Sequence, residues 1–141
     1  MTQHDGELAQ RLVAEAKTIA LYGIASDPSR PSNEVARYLI DAGYDVYLVN
    51  PTEAEVFGRP VYARLQDVPV PIDVVDIFRR AEFMPEVIAH AIEAGAKAVW
   101  MQLGLVNEEA AATARAAGLE VVMDRCMKIE HGRMPRRASA D

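Results

Sequence analysis

The residues with chemistry to offer stand in five short segments, each directly after an apolar run. The first is Gly23-Ile24-Ala25-Ser26-Asp27-Pro28-Ser29-Arg30-Pro31-Ser32-Asn33, small residues and two prolines around one arginine. A loop of this kind entering a helix can hold a phosphate. The helix start presents free N–H groups and partial positive charge, and Arg30 adds a guanidinium. Ser32 and Asn33 are candidate N-caps, and the plain alternative is a rigid turn with an ordinary cap. The second segment, Asn50-Pro51 after Val49, either ends a strand or borders a ligand. In the third, Phe78-Arg79-Arg80, an aromatic and two cations could stack on a base and attract phosphates. Otherwise Phe78 is core and the arginines are solvated. The fourth, Met101-Gln102-Leu103-Gly104, offers either a close backbone approach at Gly104 or only a turn, with Trp100 and Met101 read as core. The fifth, Met123-Asp124-Arg125-Cys126, sets a thiol beside a cation, as a reactive cysteine requires, although most lone cysteines are inert and buried.

These segments do not assemble into a known catalytic set. His4, His90 and His131 lie far apart, with neither triad context nor metal-ligand spacing. A single cysteine excludes a disulfide framework and cysteine-rich zinc or iron–sulfur sites. The first loop is not a dinucleotide fingerprint, since only Gly23 matches G-x-G-x-x-G, and no G-K-[ST] makes it a P-loop. A nicotinamide-cofactor site also expects an acid where this chain has Asn50-Pro51.

The elements that must position the five segments follow from periodicity. Leu8, Leu12, Val13 and Ala16 mark a helix over 7–16, and Val35, Ala36, Leu39 and Ile40 mark a second. Further helical spacing lies at Val87, Ile88, Ala91 and Ile92, and at Ala110, Ala111, Ala114 and Ala117. Apolar runs at 18–23, 44–49, 72–78, 97–102 and 119–123 read as strands. Ala42-Gly43, Ala94-Gly95 and Ala117-Gly118 each stand where a helix ends and a strand begins, the place for a left-handed glycine. Strands that are apolar throughout and alternate with helices predict an α/β fold: a doubly wound, Rossmann-like parallel sheet of about five strands with helices on both faces. The order 3-2-1-4-5 is taken by analogy. In such a sheet ligands sit outside the carboxyl ends of the strands, where all five segments fall.

The chain has 141 residues, 50% hydrophobic and 26% charged, with a net charge of -6. That suits one domain, assigned to 1–132, with 133–141 as a flexible tail. The acidic balance argues against nucleic acid as a dedicated partner, which needs an extended basic face. Arg30, Arg79, Arg80 and Arg125 nonetheless fall at the predicted strand ends, enough for one small phosphorylated ligand. Neither a basic-then-apolar start nor an apolar run of roughly 20 residues is present, so no membrane partner and a cytoplasmic location are expected.

Taken in order, GIASDPSRPSNEVARYL, YDVYLVNP, GRPVY, DVVDIFRR, AVWMQLG and DRCMKIEH resemble the stand-alone CoA-binding domain proteins over about residues 10–132. Those are similar to the CoA-binding N-terminal domain of the succinyl-CoA synthetase α subunit. The resemblance implies a small-molecule nucleotide cofactor, coenzyme A or an acyl-CoA, held at the carboxyl ends of the strands. It implies that the loop holding Gly23, Ile24, Ala25, Ser26, Arg30, Pro31, Ser32 and Asn33 wraps the phosphates. Val49, Asn50 and Pro51 would flank the adenosine, Phe78 and Arg79 line the pocket, and Met101, Gln102 and Leu103 pass the pantetheine arm. No counterpart of the synthetase's phosphorylated-histidine domain is seen, so ligase activity is not implied. The expectation is a binding module rather than an enzyme, with no metal and an unknown protein partner. The alternatives are an NAD(P)-binding enzyme or redox sensor, and a regulatory subunit sensing CoA.

Overall fold

The structure is a computed structural model in which residues 5–135 are described. His4 and the tail arginines Arg136 and Arg137 lie outside the described residues. The elements in chain order are α1 (Asp5–Glu15), β1 (Thr18–Tyr22), α2 (Pro31–Asp41), β2 (Asp45–Val49), β3 (Glu55–Val56), β4 (Arg59–Tyr62), β5 (Val74–Ile77), α3 (Met84–Glu93), β6 (Ala98–Met101), α4 (Glu108–Ala116), β7 (Glu120–Val122) and α5 (Met127–Gly132).

The central strands are apolar throughout because both of their faces are covered. Alternate residues of each strand point to opposite sides. Ala20, Tyr22, Val75, Ile77, Val99 and Met101 pack with α3 and α4. Ile19, Leu21, Val74 and Trp100 pack with α1, α2 and α5. The alanine face of α4 (Ala110, Ala111 and Ala114) lets that helix lie close to the sheet. Asn107 caps it, its side chain accepting from the Ala110 N–H at 3.0 Å. Gly43, Gly95 and Gly118 hold φ of 103°, 74° and 94° at the three helix-to-strand junctions.

The sheet has seven strands rather than about five, in the order β3-β4-β2-β1-β5-β6-β7. Every pairing is parallel except β3 with β4. The two additional strands form a hairpin with a two-residue turn in which Phe57 and Gly58 both take positive φ, 59° and 71°. Over the five runs read from sequence the order is 2-1-3-4-5, not the expected 3-2-1-4-5. The place beside β2 belongs to β4, and once β4 is counted the parallel strands run 3-2-1-4-5-6. The fold class stands; its edge was missing.

Of the segment 133–141 assigned to a tail, residues 136–141 lie outside the described residues. Arg133 donates to Glu130 at 3.2 Å, and Met134 packs against the α1–α2–α5 core. Among the described residues no helix is long and apolar enough to cross a membrane.

Candidate ligand-binding site

Strand order decides where the site lies. The chain leaves β1 between β2 on one side and β5 on the other, the switch point at which a doubly wound sheet opens a crevice. The exits of β1 and β5 touch there. Gly23 has φ of +95°, and a Cβ on it would stand 2.1 Å from the Phe78 carbonyl oxygen. Its N–H donates to Val49 O at 2.8 Å, while the Phe78 N–H donates to Tyr22 O at 2.8 Å.

The loop after Gly23 is fastened by the helix it feeds. Pro31 opens α2 and Arg30 occupies the N-cap position without a side-chain cap bond, so Ser32 and Asn33 are not the caps the sequence suggested. Both are buried in the first turn and reach backwards. The Ser32 hydroxyl accepts from the Ala25 N–H at 3.0 Å, and the Asn33 amide donates to Ala25 O at 2.9 Å and Ser26 O at 3.4 Å. Polar residues next to a proline at a helix start look like caps; here they serve the loop. The Asp27 carboxylate accepts from the Ser29 N–H and hydroxyl, which hold its pKa below the usual range.

A cleft of about 1000 Å³ opens above these strand ends. Of the residues assigned to the site from the sequence, Gly23, Ala25, Arg30, Pro31, Ser32, Phe78, Arg79, Gln102 and Leu103 line it. The other expected residues lie outside its lining. Ile24, Val49 and Met101 are fully buried core, and Asn33 and Ser26 belong to the loop's supports. The Asn50 amide donates to Ile24 O at 2.8 Å and its oxygen accepts from Thr52, so it braces the loop from behind, beside exposed Pro51.

Charge in the cleft is mostly positive. Among the described residues neither Arg30 nor Arg79 takes part in an ion pair, and Arg79 lies over the Phe83 ring at 4.0 Å. Burial pushes the Tyr22 hydroxyl pKa up, opposed by Arg79. Arg80 stands 3.9 Å from Glu82, a long surface pair of small worth. Arg125 is not part of this set. Its guanidinium donates to the buried Glu130 carboxylate at 2.9 Å, and its carbonyl accepts from Trp100 Nε1 at 2.7 Å.

The sequence reading missed what α5 brings. Its Lys128 and Ile129 line the cleft, next to Cys126 of the fifth segment. The helix is held there by the Gln102 side chain, whose oxygen accepts from the Met127 N–H at 3.2 Å, and by Gln10, which donates to Glu130 O at 2.8 Å. Tyr38 and His131 share a hydrogen bond at 2.8 Å, and Lys128 donates to Glu34 at 2.7 Å. Cys126 is buried beside the cleft as a free thiol. The only signal for α5 was the segment DRCMKIEH, whose position after the last strand says nothing of its return to the first helix.

The arrangement is thus a loop fastened by its own helix beside guanidinium groups that are in no ion pair among the described residues, in a cleft of ligand size. A family model described as CoA binding domain matches residues 17–132 of this chain. The chain belongs to that family. This CoA-binding domain is 38% identical over 122 residues to the protein YneT of Bacillus subtilis (strain 168), covering 86% of this chain and 90% of that one. It superposes with a TM-score of 0.88 on a hypothetical protein from Pyrococcus horikoshii OT3, at 41% identity, covering 95% and 99% of the two chains. It is also 28% identical over 122 residues to the α subunit of acetate–CoA ligase (ADP-forming) I from Pyrococcus furiosus, there covering 75% of this chain and 26% of the ligase subunit. The chain therefore matches about a quarter of that subunit.

Proposed function

We propose that this chain binds coenzyme A or an acyl-CoA in the cleft over β1, β5 and β6, as a binding module rather than a catalyst. The observation that carries the reading is the pair of unpaired guanidinium groups, Arg30 and Arg79, at the β1 and β5 exits of a CoA-binding domain. The phosphates rest on the Gly23–Asn33 loop and the start of α2, where the N–H groups and helix dipole favour an anion. The adenosine lies towards Asn50 and exposed Pro51, beyond the buried Val49, with Phe78 and Arg79 on the inner wall. Gln102 and Leu103 follow the pantetheine arm, above the buried Met101. The one carboxylate of the lining, Glu34, is held by Lys128.

Calorimetry with coenzyme A should give saturable binding, and the absence of heat or thermal shift at millimolar ligand would sink the reading. Saturable NADH binding with none for CoA would replace it with a nicotinamide site. Arg30→Ala is expected to weaken CoA about ten- to hundred-fold, the value of one charge-assisted hydrogen bond of about 1.5–3 kcal/mol. Pantetheine, which lacks the phosphates, should lose little. Equal losses for both ligands would move the phosphates away from Arg30.

A further inference from the structure

The cleft changes character from one end to the other. Its guanidinium groups, Arg30, Arg79 and Arg80, follow β1 and β5. Its β6–α5 end is set by Leu103, Leu105, Cys126 and Ile129. Two of these, Leu103 and Ile129, are 63% and 44% exposed although they line a cleft. Val106, three residues beyond Leu103, is 46% exposed. Single exposed aliphatic residues are ordinary on protein surfaces; their placement here is what distinguishes them. The hydrogen bond from the Met127 N–H to the Gln102 side chain ties together the residue before Leu103 and the residue two before Ile129. Two separate parts of the chain thus bring aliphatic side chains to one lip, continuous with the cleft. The cation beside it, Lys128, is held by Glu34 at 2.7 Å, whereas Arg30 and Arg79 over the β1 and β5 exits are in no ion pair among the described residues. Phe57, the remaining large exposed hydrophobic residue among those described, stands apart in the β3–β4 turn.

We infer that the ligand this cleft is shaped for is an acyl-CoA with an aliphatic acyl group, and that the chain of that group covers the Leu103–Ile129 lip. The inference rests on the proposed function and adds the class of the ligand's far end. A ligand that is anionic at one end and aliphatic at the other matches unpaired guanidinium groups over β1 and β5 and aliphatic side chains at a lip whose one cation, Lys128, is already paired with Glu34. Free CoA ends in a thiol and leaves the lip in water. Covering aliphatic surface favours binding in proportion to the area removed from water, up to about fourfold per fully buried methylene. The lip is open on one side, so a gain of roughly twofold per methylene is expected.

The test is calorimetry with CoA, acetyl-CoA, butyryl-CoA and hexanoyl-CoA on the full chain and on Ile129→Ser. Because Ile129 is exposed, the variant keeps its core. In the unaltered protein affinity should climb along the series, reaching about sixteen- to thirtyfold between CoA and hexanoyl-CoA. In Ile129→Ser the hexanoyl-CoA to CoA ratio should fall at least threefold. Affinities equal within twofold across the series would overturn the inference and leave CoA binding intact. A climb that Ile129→Ser does not alter would overturn the lip as its origin. Failure of every ligand in the series to bind would overturn the proposed function itself, and the inference with it.

Discussion

Gly23→Ala is expected to lower the melting temperature by roughly 6–20 °C and to remove CoA binding. Two costs add. A side chain at φ of +95° is disfavoured by about 1–2 kcal/mol, and the new methyl would meet the Phe78 carbonyl oxygen at 2.1 Å, a backbone atom with no rotamer to escape into. Overpacking of this kind costs about 1–3 kcal/mol, and each kcal/mol moves the midpoint of a chain this size by roughly 3–4 °C. Relief can come only by separating the exits of β1 and β5, which are the floor of the cleft, so ligand affinity falls with stability. Gly43→Ala separates the two costs. Gly43 has φ of +103° but nothing within 4 Å of its added Cβ, so it carries the conformational cost alone. Thermal unfolding of the two variants should place Gly23→Ala well below Gly43→Ala. Equal midpoints would mean that the strand exits part freely.

The second large effect lies beneath the same floor. Asp76 sits in β5 between Leu21 of β1 and Trp100 of β6, on the face covered by α1, α2 and α5. It is fully buried, and neither carboxylate oxygen has a hydrogen-bond partner among the described residues. Burial alone pushes its pKa well above the usual carboxylate range. The folded chain therefore keeps a proton that the unfolded chain releases near pH 3.9. Stability from this group is fully present below that pH and is lost as pH rises towards the folded-state pKa, by up to about 1.4 kcal/mol per pH unit. Asp76→Asn cannot ionise. It should be the more stable protein at pH 7–8, with the gap closing as pH falls to about 4. Urea unfolding of both proteins from pH 4 to pH 8 measures this. The exposed carboxylates with lowered pKa, Asp27 and Glu34, add a slope of opposite sign but are common to both proteins, so the difference isolates Asp76. A gap that does not vary with pH would show that Asp76 finds a partner for its charge.

How much of this was legible in the sequence follows from what each residue's neighbours are. The five apolar runs could be read because a strand covered on both faces must be apolar at every position, as β5 and β6 show along all or most of their length. Residues 55–62 could not: their strands are short, one contains Pro60, and most of their residues are not buried. Strand order is a property of pairings between distant segments, which periodicity does not record. At the site, the β1 exit was readable because glycine, prolines and an arginine in a strand-to-helix loop limit what that loop can be. The contribution of α5 was not, since it depends on Gln102 meeting Met127 and Glu34 meeting Lys128 across the fold. Arg125 shows the same limit in reverse. Its place after a strand was correct, but sequence position does not give direction, and its guanidinium turns to Glu130.

The backward reach of Ser32 and Asn33 has a consequence for rates. A cradle held closed by its own helix need not be ordered when a ligand arrives, so association carries no loop-folding step and little entropic cost beyond docking. Encounter should then proceed at much the same speed for every thioester or thiol that presents the same phosphates. Discrimination among them falls to dissociation, and the cleft chooses its ligand by residence time.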